Sequence, residues 1–303
     1  MKYRRLGRAE LSVSAIGLGA WQFGGEWGRD YAQSEVDAVV DAARAAEINL
    51  IDTAECYGDH LSEQFVGRAV KRDRENWVIA TKFGHHYVDR FEREQRWSAA
   101  EVRTQLEDSL RALQTDYVDL YQFHSGSDEV FDNDELWAML EKQVEAGKVR
   151  HLGISVNKVI SVHQVEAASS VGANTVQVVY NRLEREPEET VFPLCRSQDL
   201  GVLARVPLAS GLLSGKYRPG AEFDATDVRS RRERDQIEAG LREVERIRQT
   251  EVPSDADMAA WALAWCLRHP AVTCVIPGCK SPEQLHANAT AVELVENNHP
   301  QDV

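Results

Sequence analysis

Short apolar runs alternate with amphipathic stretches along almost the whole chain. The runs are SAIGLG (14–19), NLIDTA (49–54), WVIATK (77–82), YVDLYQFH (117–124), VRHLGIS (149–155), NTVQVVY (174–180), GVLARVP (201–207) and TCVIPG (273–278). Each is strand-length, and near-continuous apolarity is the mark of a strand covered on both faces. Between them lie SEVDAVVDAARAAE, SEQFVGRAV, SAAEVRTQLEDSLRAL, DELWAMLEKQVEAG, VISVHQVEAASS, PEETVFPLCRS and ADMAAWALAWCLRH, which read as helices with one apolar face. Ser34, Ser62, Ser98 and Asp134 are placed to cap helix starts, and Gly147 to end one. Strand and helix alternating through eight cycles, with no composition break, predict one α/β domain over residues 1–303. Its expected form is a closed (β/α)8 TIM barrel, with an open doubly wound sheet as the rival.

Two segments interrupt the rhythm. YRRLGRAELSVS, near the start, reads as a β-hairpin capping the barrel bottom. From about Gly211 to Thr250 the chain is too long for a simple loop and too charged for a core. Its run RSRRERDQIEAGLREVERIRQ reads as a solvated helix, with phosphate contact by a few of the arginines as the alternative.

Composition narrows the function classes. A 303-residue chain can bury roughly three-quarters of its unfolded surface, so it needs neither disulfide nor metal staples. The net charge of −14 argues against nucleic acid, which draws on clustered positive charge. Nothing resembles an export signal or a membrane span. The five cysteines, Cys56, Cys195, Cys266, Cys274 and Cys279, form no CxxC and no zinc spacing. Reduced thiols in the cytoplasm and no metal are the expectation.

Chemistry gathers at the strand ends. Asp52 and Tyr57 end or follow the second run, Lys82 ends the third and His124 the fourth. Adjacent barrel strands set their C-terminal ends side by side, on the rim where barrel enzymes keep their active sites. Singly, each residue reads as a cap, turn packing or rim decoration; on successive strand ends, coincidence is the weaker account. A Lys82 ammonium would lower the pKa of Tyr57, Asp52 would hold the lysine, and His124 would orient a carbonyl oxygen. None of the four can supply a hydride, so the site requires a cofactor.

These motifs resemble the aldo-keto reductase family: DTAECYGDHLSE from Asp52 to Glu63, IATK ending at Lys82, DLYQFH ending at His124, then GIS, QVVYN, PLASGLLSGKY and IPGCKSPEQLHAN. The likeness runs from about residue 3 to residue 292 in motif order. It implies reduction of an aldehyde or ketone to an alcohol, or the reverse, with hydride from NADPH and a proton from Tyr57. NAD stays open as the cofactor. The implied tetrad is Asp52, Tyr57, Lys82 and His124.

The resemblance also implies a cofactor bed on the rim, which agrees with the lack of a Rossmann fingerprint after Gly17 and Gly19. Gly19, Ala20 and Trp21 would flank the nicotinamide with Asp52, while Ser155 and Gln177 would bond its carboxamide. Pro207, Leu208, Ser210, Gly211, Gly215 and Lys216 would follow the pyrophosphate. Gly278, Lys280, Ser281, Gln284 and Asn288 would reach the adenosine end. Trp21 and Phe83 would line the substrate pocket, favouring apolar carbonyl compounds, and the His85–His86 pair reads as solvent-facing loop.

Three departures stand out. Val156 separates Ser155 from Asn157, where many members have Ser-Asn. Arg205 replaces an aromatic residue that often stacks on the nicotinamide, bringing positive charge that would favour the reduced ring. Gly278, Cys279 and Gln284 occupy places that often clamp a 2′-phosphate, leaving Lys280 and Ser281 to do so. A Schiff-base aldolase using Lys82, a cofactor-binding channel subunit and a binding barrel without turnover are the rival readings.

Overall fold

The computed structural model describes residues 1–296 and 298–303. The eight apolar runs form eight parallel strands: β3 (Leu18–Gly19), β4 (Leu50–Asp52), β5 (Val78–Phe83), β8 (Val118–His124), β9 (Val149–Ser155), β10 (Ala173–Val179), β11 (Gly201–Arg205) and β12 (Cys274–Val275), paired in that order. Parallel bridges between Ile16 and Val275 and between Gly19 and Gly278 join the last strand to the first. The sheet therefore closes, and the open-sheet alternative falls.

Before the barrel, β1 (Tyr3–Arg5) and β2 (Ser12–Ser14) form the expected antiparallel hairpin. Leu6 and Val13 from it pack with Leu50, Val78, Ala80, Leu120, Leu203 and Cys274, the inward residues of the lower barrel. A second hairpin, β6 (His85–Asp89) with β7 (Glu92–Gln95), rises from the loop after β5. The sequence did not signal it, because its strands are short, polar and exposed.

Around the sheet run α1 (Gln33–Ala45), α2 (Leu61–Val70), α3 (Ala99–Leu113), α4 (Asp128–Phe131), α5 (Asp134–Glu145), α6 (Val162–Glu166), α7 (Val191–Ser197), α8 (Arg234–Thr250), α9 (Met258–Leu267) and α10 (Pro282–Ala289). Their apolar stripes meet the outward strand residues in one large cluster that includes Val36, Ile51, Val66, Ile79, Leu106, Leu136 and Leu263. The stretch 159–170 is helical only over α6, shorter than its pattern suggests.

The expected caps divide by where each hydroxyl or carboxylate finds a partner. Ser98 caps α3, its Oγ accepting from the Glu101 N–H. Ser62 instead accepts from Thr53 Oγ1 at 2.9 Å and donates to Ala20 O at 2.8 Å. Asn133, not Asp134, caps α5. Ser34 lies inside α1, whose first turn is tied by Glu35 to the Ala32 N–H. The charged run begins as a short turn and becomes a helix only over α8, with one apolar face (Ile237, Leu241, Val244, Ile247) against the loop after β11.

Candidate active site

Strand alternation decides which side chains enter the barrel mouth. On β5, Val78 and Ala80 belong to the inner core, so Lys82 points inward and Phe83 outward. Lys82 is 1% exposed, and Asp52 across on β4 is 4% exposed. The Lys82 Nζ donates to Asp52 Oδ2 at 2.6 Å, to Thr53 O at 2.7 Å and toward the Tyr57 hydroxyl at 3.3 Å. The other Asp52 oxygen accepts from Gln177 Nε2 at 2.7 Å, and Gln177 also donates to Gln122 Oε1 at 3.2 Å. Ser155 Oγ donates to Gln177 Oε1 at 3.4 Å. A polar chain thus crosses the mouth from β5 to β9.

Tyr57 stands on a tight loop. Its ring stacks on Trp21 with centroids 5.7 Å apart, and the His124 ring meets it edge-on at 6.3 Å. This approach depends on glycine: a Cβ on Gly24 would fall 2.7 Å from the Tyr57 carbonyl carbon, and Gly58 has φ +69°. Tyr57, His124 and Asp52 all face one cavity of about 1010 Å³, while Lys82 lies behind them.

The electrostatics correct one expectation. Burial, then the charge of Asp52, pushes the Tyr57 phenol well above its usual range, and Arg205 is the cation that opposes this. The Lys82 ammonium, 3.3 Å from the hydroxyl, is shared with Asp52 at 2.6 Å. Burial, with His85 and Lys82 adding like charge, holds His124 well below the usual histidine range, so the imidazole is neutral.

The cavity extends from the tetrad over much of the expected cofactor bed. Gly19, Ala20, Trp21, Gln177 and Arg205 line it near Tyr57. Pro207, Leu208, Ser210, Gly211 and Lys216 follow along the loop after β11, and Gly278, Lys280, Gln284 and Asn288 form its far end. Ser155 is buried behind Gln177, outside the lining. Gly215 ends a turn, with φ +74° against Met258. Ser281 is the N-cap of α10, its Oγ accepting from the Gln284 N–H, and is absent from the lining.

Phe83 is not pocket lining. It is fully buried among Trp97, Tyr121 and Phe123 in the helix layer, as an outward neighbour of an inward lysine must be. His85 is the converse correction. It lies on β6, lines the cavity and contacts the His124 ring edge-on at 4.9 Å.

Four residues that sequence reasoning left aside also matter. Glu26 is 3% exposed, accepts from Trp21 Nε1 at 2.9 Å and pairs with Arg93 of β7. Arg229, within the charged run, chelates Asp227 at 2.6 and 2.9 Å and lies over the Trp27, Tyr217 and Phe223 rings. No linear signal marks these, since Glu26 and Arg93 come from different loops and the Asp227–Arg229 turn meets the Trp27 ring only in the fold.

A nicotinamide dinucleotide fits this cavity on three observations. The volume is at the upper end of ligand pockets. Arg205 donates from one Nη to Val156 O at 3.1 Å, while its buried Nε has no partner. At the start of α10, burial and the like charges of Arg229 and Lys216, opposed by Asp227, depress the Lys280 ammonium, whose Nζ donates to Trp27 O at 2.8 Å; an anion there would relieve the crowding of cations. Among the described residues no cluster of three metal-ligating side chains occurs, and no helix is long and apolar enough to cross a membrane.

The comparisons agree with this geometry. The family model described as "Aldo/keto reductase family" matches residues 15–301. Aldo-keto reductase YhdN of Bacillus subtilis is 31% identical over 95% of this chain and 87% of its own length. The solved holo form of aldo-keto reductase AKR11C1 from Bacillus halodurans superposes with a TM-score of 0.81 at 32% identity, covering 97% of this chain and 91% of that one. The glycerol dehydrogenase AKR11B4 from Gluconobacter oxydans gives 0.80 at 29%, over 96% and 90%. The chain is a (β/α)8-barrel oxidoreductase that belongs to the aldo/keto reductase family.

Proposed function

We propose that this enzyme uses NADP(H) to reduce an aldehyde or ketone to an alcohol, with Tyr57 as the proton donor. The observation that carries the reading is the convergence of Asp52, Lys82, Tyr57 and neutral His124 at one end of a dinucleotide-sized cavity. When bound, the cofactor supplies hydride to the carbonyl carbon.

The residues do the rest. His124, neutral, donates a hydrogen bond that positions the carbonyl oxygen. Tyr57, held protonated by burial, carries its proton toward the alkoxide that develops there. Lys82 then stabilises the phenolate left behind, and Asp52, itself anchored by Gln177, keeps the lysine in place. Trp21 forms a wall beside the phenol.

Lys216 and Lys280 beside the loop after β11 and the start of α10 favour NADP over NAD, since the extra phosphate adds two negative charges there. At the substrate end, Trp21 and Phe91 share the wall with the Glu26–Arg93 pair and His85. That mixture favours a carbonyl compound bearing a hydroxyl over a purely apolar aldehyde, and a neighbour titled glycerol dehydrogenase is in keeping with it. Five unpaired, buried cysteines suit a reducing cytoplasm.

Fluorescence titration with NADPH and NADH, followed by turnover assays on hydroxylated and apolar carbonyl compounds, tests the reading. Tighter NADPH binding and higher kcat/KM for hydroxylated substrates are expected. Failure to bind either nucleotide would overturn it.

A further inference from the structure

A second cavity, of about 650 Å³, lies outside the barrel between α2 and α3, closed at one end by the loop that carries Tyr57. It shares no lining residue with the large cavity. Two of its groups are more than nine-tenths buried and lack a partner. Glu55, 3% exposed, has an unpaired Oε1, and Gln105, 6% exposed, has an unpaired Nε2. The Gln105 amide cannot turn to relieve this, because its Oε1 accepts from the Gly84 N–H at 2.9 Å. Its NH2 is therefore a fixed, buried donor.

The charges around these two groups are unevenly committed. On α3, Asp108 pairs with Arg111, and Glu101 accepts from both Ser98 N–H and Oγ. On α2, Glu63 lies behind the cavity and is occupied by His60 and Thr81. Arg68, by contrast, reaches only Gln33 Oε1, at 3.4 Å. Arg96, His86 and Asp59 complete the charged and titratable groups facing Glu55 from the hairpin side and the loop. Spare capacity is thus mostly in donors, Gln105 Nε2 and Arg68, whereas the Arg96 guanidinium close by is engaged by Glu94 at 2.8 and 3.1 Å.

Glu55 itself joins the donors near neutrality. Burial, reinforced by the charge of Glu63, raises its carboxyl to about 9, so it carries an O–H there. A neutral carboxyl does not repel an anion and can donate to one.

We infer that this cavity is a binding site for a small carboxylate, held by Gln105 Nε2 and Glu55 at the floor and by Arg68 at the rim. Charge-assisted hydrogen bonds to a carboxylate are the strong ones, and a buried orphan donor gains most from them. The site stands independently of the redox reading, although its floor is two residues from Tyr57.

Malonate is the probe, titrated by calorimetry into protein saturated with NADPH so that the large cavity is filled. Saturable one-site binding is expected at about pH 7.5, weakening roughly tenfold by about pH 10 as Glu55 ionises. Glu55→Gln should keep the binding and flatten that pH dependence, which separates Glu55 from His60 and His86. Arg68→Ala should weaken binding at least about fivefold, and Arg68→Lys should restore part of it. Three results would each overturn the inference: no saturable heat with malonate, binding indifferent to Arg68→Ala, or preference for the dication putrescine. NADPH fluorescence in the same samples reports the redox reading separately. If no nucleotide binds, the Arg68→Ala comparison still isolates the small cavity.

Discussion

Each end of the barrel carries an arginine with buried nitrogens, and the two finish it differently. At the bottom, Arg4 is fully buried, yet all of its nitrogens have acceptors: Val272 O at 2.8 Å, Leu267 O at 3.1 Å and Asp302 Oδ1 at 3.3 Å. At the top, Arg205 satisfies one nitrogen with Val156 O at 3.1 Å and leaves Nε without a partner, and His85 Nδ1, also at the cavity, has none either. Burial depresses both guanidinium groups. The bottom spends its cation on joining the hairpin and tail to the barrel, whereas the top holds polar groups open toward a cavity. A completed hydrogen-bond set marks structure, and an incomplete one in a cleft marks function.

If that contrast is right, top and bottom substitutions should separate activity from stability. The largest effect is expected for Tyr57→Phe, with kcat falling about 1000-fold, or about 4 kcal/mol, and little change in melting temperature or NADPH affinity. Turnover within tenfold of the parent enzyme would break the comparison. Arg4→Ala should do the reverse, lowering unfolding free energy by about 3 kcal/mol in urea while kcat per folded molecule is unchanged.

Glu55→Gln sharpens the same point between the ends, because here an unsatisfied group is predicted to cost stability. Its carboxyl is raised from 4.5 to about 9 on folding. Below 4.5 both states hold the proton and there is no penalty. Above it the unfolded chain ionises while the folded one does not, so stability falls as pH rises toward 9. The glutamine should therefore stabilise by about 2 kcal/mol at about pH 8, with the gain vanishing near pH 4 in thermal melts. The smallest effect concerns Arg205→Trp. Removing that positive charge should reduce the preference for NADPH over NADP+ several-fold, about 1 kcal/mol, in paired fluorescence titrations. An unchanged ratio would remove Arg205 from the cofactor's electrostatics.

Much of the site was legible in the chain because it follows strand alternation. Asp52, Lys82, Gln177 and Arg205 all lie at or near strand ends and point inward, and the residue before or after each was readable too. Phe83 shows the rule applied incompletely: once Lys82 is inward, the adjacent ring must leave the pocket. His85 was misread for another reason. Nothing in HHYVDRFEREQ carries an apolar period, so the hairpin that brings it to His124 left no trace. The same holds for Glu26–Arg93 and for Asp227–Arg229 against Trp27, whose partners come from different loops or a short turn.

The sequence by itself determined the number and order of the barrel strands, the barrel class, the hairpin beneath it and the four residues at the mouth, because these depend on local period and on which residue ends each strand. Only the tertiary structure decided how the charges act. It buried the Tyr57 phenol beside the charge of Asp52, so that the phenol is raised rather than lowered, and it brought Arg205 in as an opposing cation. It also opened a second cavity between two ordinary helices. The reason is physical: period and turn chemistry are encoded along the chain, whereas Coulomb energies and desolvation depend on distances across it.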